Sequence, residues 1–173
     1  VVVIGSGATA VTLVPSMTAK AAHVTMLQRT PSYVVTRPQR DGIAQTLQKW
    51  LPLQAAHSLT RWKNVFLTQF FYRIARSRPE QFKERVLHMV KTQIGDVDMK
   101  HFTPDYKPWD QRVCAVPDGD LFRDVRAGRA SVVTDTIDSF TENGIRLSSG
   151  EELEADIIVT ATGLKVNALG DVT

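Results

Sequence analysis

Gly5-Ser6-Gly7-Ala8-Thr9-Ala10 places small residues at the spacing G-x-G-x-x-A directly after four β-branched residues, Val1, Val2, Val3 and Ile4. The chemistry this arrangement suits is the holding of a pyrophosphate. The first glycine permits a tight bend, and the second lets backbone approach an anion at the N-terminus of the following helix. The third position needs only to be small, because helix packs on strand there. Twenty-four residues after Gly5, where an acid would accept the ribose 2′-hydroxyl of NAD, the sequence reads Gln28-Arg29-Thr30-Pro31. An acid would repel a 2′-phosphate, whereas Arg29 can pair with one bidentately and Thr30 can add a hydroxyl. The pair favours NADP over NAD, and over FAD, whose adenosine ribose also usually meets an acid. Such a charge-assisted contact contributes about 1.5–3 kcal/mol, roughly tenfold to a hundredfold in affinity.

Other chemistry is thinly represented. Cys114 stands alone, which excludes an internal disulfide framework, fits a reducing compartment and reads as a small core or loop residue. His23, His57, His88 and His101 show no metal-ligand spacing, so no metal site is expected. His23 reads as a residue at the start of a strand, the others as surface or packing residues. Paired carboxylates and a nucleophile elbow are absent, which argues against hydrolase chemistry. Arg112, in Trp109-Asp110-Gln111-Arg112, reads from its surroundings alone as a loop arginine satisfying carbonyls at a helix end.

The elements that must position these residues are an α/β set. Parallel strands are expected at 1–4, 23–28, 131–134 and 157–161, the last buried on both faces and ending in a small-residue turn at Thr162-Gly163. A helix is expected at 8–19, after the glycine turn. Leu59, Trp62, Phe66, Phe70 and Ile74 recur three or four residues apart, predicting helices at 43–51 and 57–77, with a third at 79–94. A short helix between Asp118 or Asp120 as N-cap and the stop residue Gly128 precedes strand 131–134. From 136 to 153 an Asn143-Gly144 hairpin signal and a Ser149-Gly150 turn predict a meander of two or three strands. The fold class is therefore a Rossmann-like parallel sheet with a β-meander and an inserted helical segment. The expected parts are 1–37 and 104–173 for the nucleotide-binding domain and 38–103 for the insertion.

At 173 residues and 43% hydrophobic content, the chain can bury a sizeable core. Its net charge of +3 is unevenly spread: residues 37–91 hold eleven Lys and Arg against Asp41, Glu80 and Glu84. This basic, aromatic-rich insertion could lie on an anionic membrane surface, wall a tunnel for apolar substrates, or simply pack on a neighbouring domain. No nucleic-acid reader motif accompanies the charge. No apolar run spans a bilayer and no basic secretory leader is present, so a soluble, cytoplasmic protein, with membrane association through the insertion left open, is expected.

Together, VVVIGSGATA, LQRTPSY, YKPWDQRVC and DIIVTATGL resemble the NADP-binding half of flavin-containing monooxygenases of the Baeyer-Villiger type, in the ethionamide-activating branch. The resemblance implies that the opening motif is the second nucleotide motif of a longer protein whose FAD domain lies outside this chain. It implies that Gly5, Ser6, Gly7, Ala8, Thr9 and Ala10 cradle and support the NADP(H) pyrophosphate while Arg29 and Thr30 grip the 2′-phosphate. Ala161, Thr162 and Gly163 would form the crossover back towards the flavin domain. Arg112 would be the catalytic arginine, a permanent cation beside the flavin that positions nicotinamide and stabilises negative charge. One departure stands out: where many relatives carry a lysine before this arginine, the residue here is Gln111. The full-length enzyme would use FAD and NADPH to oxygenate a small ketone or a sulfur compound, and the chain alone would be inactive. Two rivals remain: half of a pyridine-nucleotide disulfide reductase-like flavoprotein, and a non-catalytic NADP-binding module.

Overall fold

The computed structural model describes residues 1–163. Its centre is a four-stranded, wholly parallel sheet built from β1 (Val2–Ile4), β2 (Val24–Gln28), β5 (Ala130–Thr134) and β9 (Ile158–Thr160) in the order β5-β2-β1-β9. Val3 pairs in register with Met26 on one side and Val159 on the other, and Met26 with Val132. Alternation along the strands serves two cores. Val3, Val24 and Met26 join Ala10, Val11 and Val14 of α1 (Ala8–Thr18) and Leu121, Phe122 and Val125 of α5 (Asp120–Arg126). Val2 and Leu27 face the other way, onto Ile145 and Leu147. Those two residues belong to an antiparallel meander of β6 (Ile137–Phe140), β7 (Gly144–Leu147) and β8 (Glu152–Glu154). A parallel sheet covered on both faces explains why β1 and β2 read as nearly unbroken apolar runs.

Between β2 and β5 the chain forms β3 (Tyr33–Arg37), α2 (Gly42–Trp50), α3 (Leu53–Ser77), α4 (Pro79–Ile94), a 3-10 turn (Met99–Phe102) and β4 (Val113–Pro117). The three helices lie close to their expected positions. The Asp41 carboxylate caps α2 by accepting from Ala44 N at 3.0 Å. Helix α4 buries Val86, Val90 and Ile94 in the main core, whereas α3 buries only Ala56 and Ala75 of its 25 residues. Among the described residues no helix is long and apolar enough to cross a membrane.

Three expectations change. First, β3 and β4 form a separate two-stranded parallel sheet, Tyr33 opposite Val113 and Val34 opposite Cys114, which sequence patterning did not assign. Second, β9 is an edge strand, paired only with β1 among the described residues. Ile157, just before it, is 54% exposed, so the terminal strand is not buried on both faces here. Third, the N-cap of α5 is Gly119, in the left-handed region at φ +65°. Asp118 is occupied in accepting from Gln39 N at 3.1 Å, and Asp120 Oδ1 accepts from the adjacent Leu121 N.

Candidate functional site

The carboxyl ends of β1, β2, β5 and β9 open into a cleft of about 920 Å³. Gly5 makes this opening possible. Its backbone sits at φ +132°, and a Cβ there would stand 2.5 Å from Ala161 O. Two hydrogen bonds fix that crossing: Gly5 N donates to Leu27 O at 2.8 Å, and Ala161 N donates to Ile4 O at 2.7 Å. Gly7 differs, since a Cβ there would meet nothing within 4 Å. Backbone at Gly7 is therefore open to close approach from the cleft that it lines.

Helix α1 starts at this point. Gly7 is its N-cap, no side chain caps it, and its first turn holds no acid. The first intrahelical hydrogen bond is Val11 N to Gly7 O at 3.1 Å. The amides of Ala8, Thr9 and Ala10 thus form the orphan, positive end of the helix, with Ala8 and Thr9 at the cleft wall. Ala10 lies elsewhere: fully buried, it fills the seam between α1 and the sheet.

The loop after β2 supplies the opposite wall. Ser6 Oγ and Ser32 Oγ are 2.9 Å apart and share a hydrogen bond, and Ser6 Oγ also donates to Thr30 O at 3.3 Å, tying the glycine turn to the loop that carries Arg29. Arg29 and Thr30 are exposed and line the cleft. Among the described residues neither Arg29 nor Arg112 makes an ion pair. The cleft therefore carries two uncommitted guanidinium groups. One acid also lines it, Asp135, which follows β5. Its carboxylate accepts from Ser149 N at 3.3 Å and Thr136 N at 2.6 Å. Hydrogen bonding from Ser149 and Thr136 holds it below the usual carboxylate range, so it is an anion at neutral pH.

The third wall comes from the segment before and along β4. Gln111 and Arg112 are exposed there, while Cys114 beneath them is buried, with Sγ 3.8 Å from Ser6 O. Burial pushes the Cys114 thiol pKa up, against the opposing influence of Arg112, so it behaves as a packing residue rather than a nucleophile. Tyr106 packs its ring edge-on to Tyr33 at 5.4 Å, and Tyr33 donates its hydroxyl to Tyr106 O at 2.8 Å. Burial, with a smaller contribution from Tyr106, pushes the Tyr33 phenol up to about 12. The Tyr106 hydroxyl is itself buried without a partner among the described residues.

Gly5, Ser6, Gly7, Ala8, Thr9, Arg29, Thr30, Arg112, Ala161, Thr162 and Gly163 thus all border one cleft, and Ala10 stands behind it. Sequence reasoning passed over Ser32, Tyr106 and Asp135. Asp135 carried a usable signal, because it directly follows the strand that flanks β2. The contribution of Ser32 and Tyr106 depends on the pairing of β3 with β4, which joins residues 80 positions apart.

Fold and cleft define a Rossmann-type α/β domain with its opening at the carboxyl ends of the parallel strands, where such sheets bind ligands. No protein-family model matches the chain. It is 53% identical over its full length to the FAD-containing monooxygenase EthA of Mycobacterium tuberculosis, of which it covers 36%. In three dimensions it is similar to OTEMO in complex with FAD and NADP, with a TM-score of 0.70 at 16% identity, covering 95% of this chain and 37% of that one. The open form of cyclohexanone monooxygenase gives a TM-score of 0.64 at 18% identity, covering 94% of this chain and 39% of that one. The chain is a relative of the FAD-containing monooxygenases and spans just over a third of the length of the curated relatives it matches.

Proposed function

We propose that this chain is the NADP(H)-binding portion of an FAD-dependent monooxygenase that inserts oxygen into ketones or oxidises sulfur. The observation that carries the reading is the uncapped, acid-free start of α1, opening into the same cleft as two arginines that make no ion pair among the described residues. A dinucleotide carries negative charge at its pyrophosphate and, in NADP, at its 2′-phosphate. Orphan amides at Ala8 and Thr9, with backbone access at Gly7, suit the first anion; Arg29 with Thr30 suits the second. The resident Asp135 accepts from its own loop amides, and among the described residues Arg29 makes no ion pair. A cleft of about 920 Å³ is of the size that encloses such a ligand.

NADPH, when bound, would supply hydride to an FAD held mainly outside this chain. This chain's part is to hold the nucleotide at the glycine turn and to place a fixed cation, Arg112, at the cleft mouth. A guanidinium cannot lose its proton at working pH, so it can orient the carboxamide and stabilise negative charge without consuming a proton. Ala161 and Thr162 cross against Gly5, with Gly163 next in the chain, as a connection towards the flavin domain would. We assign 1–37 and 104–173 to the nucleotide domain and 38–103 to a helical insertion, a division supported by β3 and β4 pairing across the insertion's two ends. We also place the protein in the cytoplasm, which the single buried thiol fits.

The test is Arg112→Ala in the full-length protein, with NADPH consumption and oxygenated product measured separately. The reading predicts retained NADPH binding and lost product. A non-catalytic nucleotide module predicts no change, and a disulfide reductase-like protein would show no oxygenated product at all.

A further inference from the structure

The turn that delivers Arg112 is strained, and it is gripped from outside. Asp110 N donates to Lys107 O at 3.0 Å and Pro108 bridges to Gln111, closing a tight turn with no glycine in it. Trp109 consequently stands at φ +69°, a left-handed conformation that a bulky side chain adopts only under constraint. Two contacts supply that constraint, both from α3. The Tyr72 ring meets Trp109 edge-on at 5.5 Å, and Arg76 Nη1 meets Asp110 Oδ1 at 2.6 Å. Tyr72 and Arg76 are four residues apart and so lie on one face of the helix, where they engage two adjacent residues of the turn. The next two residues, Gln111 and Arg112, line the cleft.

We propose that Tyr72 and Arg76 are positioning residues, whose joint aromatic and ionic grip from α3 keeps the 107–112 turn in its strained form and so sets Arg112 at the cleft. The idea rests on the role given above to Arg112. Each contact alone is weak, since the Arg76 and Asp110 side chains are 47% and 46% exposed and an exposed ion pair is heavily screened. Together they act on neighbouring residues whose backbone is already poised to relax, so removal of either shifts the turn's population. The grip also accounts for a helix that contributes little to the core yet ends beside the turn carrying Arg112.

The experiment uses the full-length, FAD-loaded protein with Arg76→Ala, Tyr72→Leu and the charge exchange Arg76→Asp with Asp110→Arg. Hydrogen exchange at amides 109–113 is measured alongside kcat and the KM for NADPH. Both single variants should speed exchange at 109–113 about two- to fivefold, with α1 and β1 unchanged, as expected for loss of a weak local constraint. They should lower kcat about two- to fivefold and alter the KM for NADPH by less than about twofold, because the glycine turn and Arg29 are untouched. The charge exchange should restore slow exchange and most of kcat. Unchanged exchange in both single variants, or a charge exchange as loose as Arg76→Ala, overturns the grip. Faster exchange with full kcat overturns its link to Arg112. Arg112→Ala is the separate control: if product formation survives it, the role of Arg112 fails, while the exchange result still decides the grip.

Discussion

Gly5 and Gly7 are two residues apart in one motif, and the structure gives them opposite tasks that substitution by alanine separates. At Gly5 an added Cβ would lie 2.5 Å from Ala161 O and 2.9 Å from Ala161 C, on backbone at φ +132°. Both obstacles are main chain, and both are held by the Gly5–Leu27 and Ala161–Ile4 hydrogen bonds. Strained φ contributes on the order of 1–3 kcal/mol, and overpacking against a fixed neighbour a similar amount. Gly5→Ala should therefore lower unfolding free energy by about 2–6 kcal/mol. At Gly7, with φ −79° and ψ −177° and nothing within 4 Å, alanine fits without strain. The only stability loss expected is the poorer N-cap, below about 1 kcal/mol. Its methyl group would instead occupy the space through which a pyrophosphate approaches, weakening NADP binding by tenfold or more, about 1.4 kcal/mol. Urea unfolding of the two variants, followed by calorimetric titration with NADP, reads both effects. A Gly5→Ala protein as stable as the parent would refute the steric argument. A Gly7→Ala protein that is stable and binds NADP at parental affinity would refute the cradle.

Further predictions concern the fold's acid sensitivity and the meander. Burial, reinforced by Lys100, holds the His101 pKa below its ordinary 6.5, so the unfolded chain takes up this proton first and stability should fall as pH drops below about 6.5. His101→Asn should remove that part of the pH dependence in thermal melts. At Asp124, burial raises the pKa but is outweighed by hydrogen bonds from Thr18 and Arg129, leaving it below 3.8. Its contribution, which ties α1 to α5, is present above about pH 4 and lost on further acidification. Asp124→Asn should destabilise at pH 7 by about 1–3 kcal/mol and flatten the acid limb. Gly144→Ala would set a Cβ 2.0 Å from Leu153 O, so β7 and β8 must part. The expected loss is about 1–3 kcal/mol in urea unfolding, with the cleft at the strands' carboxyl ends intact.

Much of this architecture was legible in the residue pattern, and the exceptions share a cause. The strands through Val3, Met26 and Val132 and the helix after Gly7 announce themselves locally, by apolar runs and a glycine turn that need no distant partner. Strands β3 and β4 do not, because Tyr33 and Val113 find each other only after three helices intervene. Tyr106 and Ser32 reach the cleft through that pairing and were invisible for the same reason. The N-cap at Gly119 was misread because two aspartates flank it, both engaged elsewhere. The apolar run Ile157-Ile158-Val159 promised a strand covered on both faces, yet among the described residues β9 lies at the sheet edge with Ile157 exposed. Apolar patterning reports that a strand can be covered on both faces, not that a neighbour covers it.

The most direct test of the central claim is calorimetric titration of the chain with NADP and with NAD in one low-salt buffer. The account predicts NADP binding at least about tenfold tighter than NAD, with the difference abolished by Arg29→Ala. Equal affinity for the two nucleotides in a folded sample would contradict it.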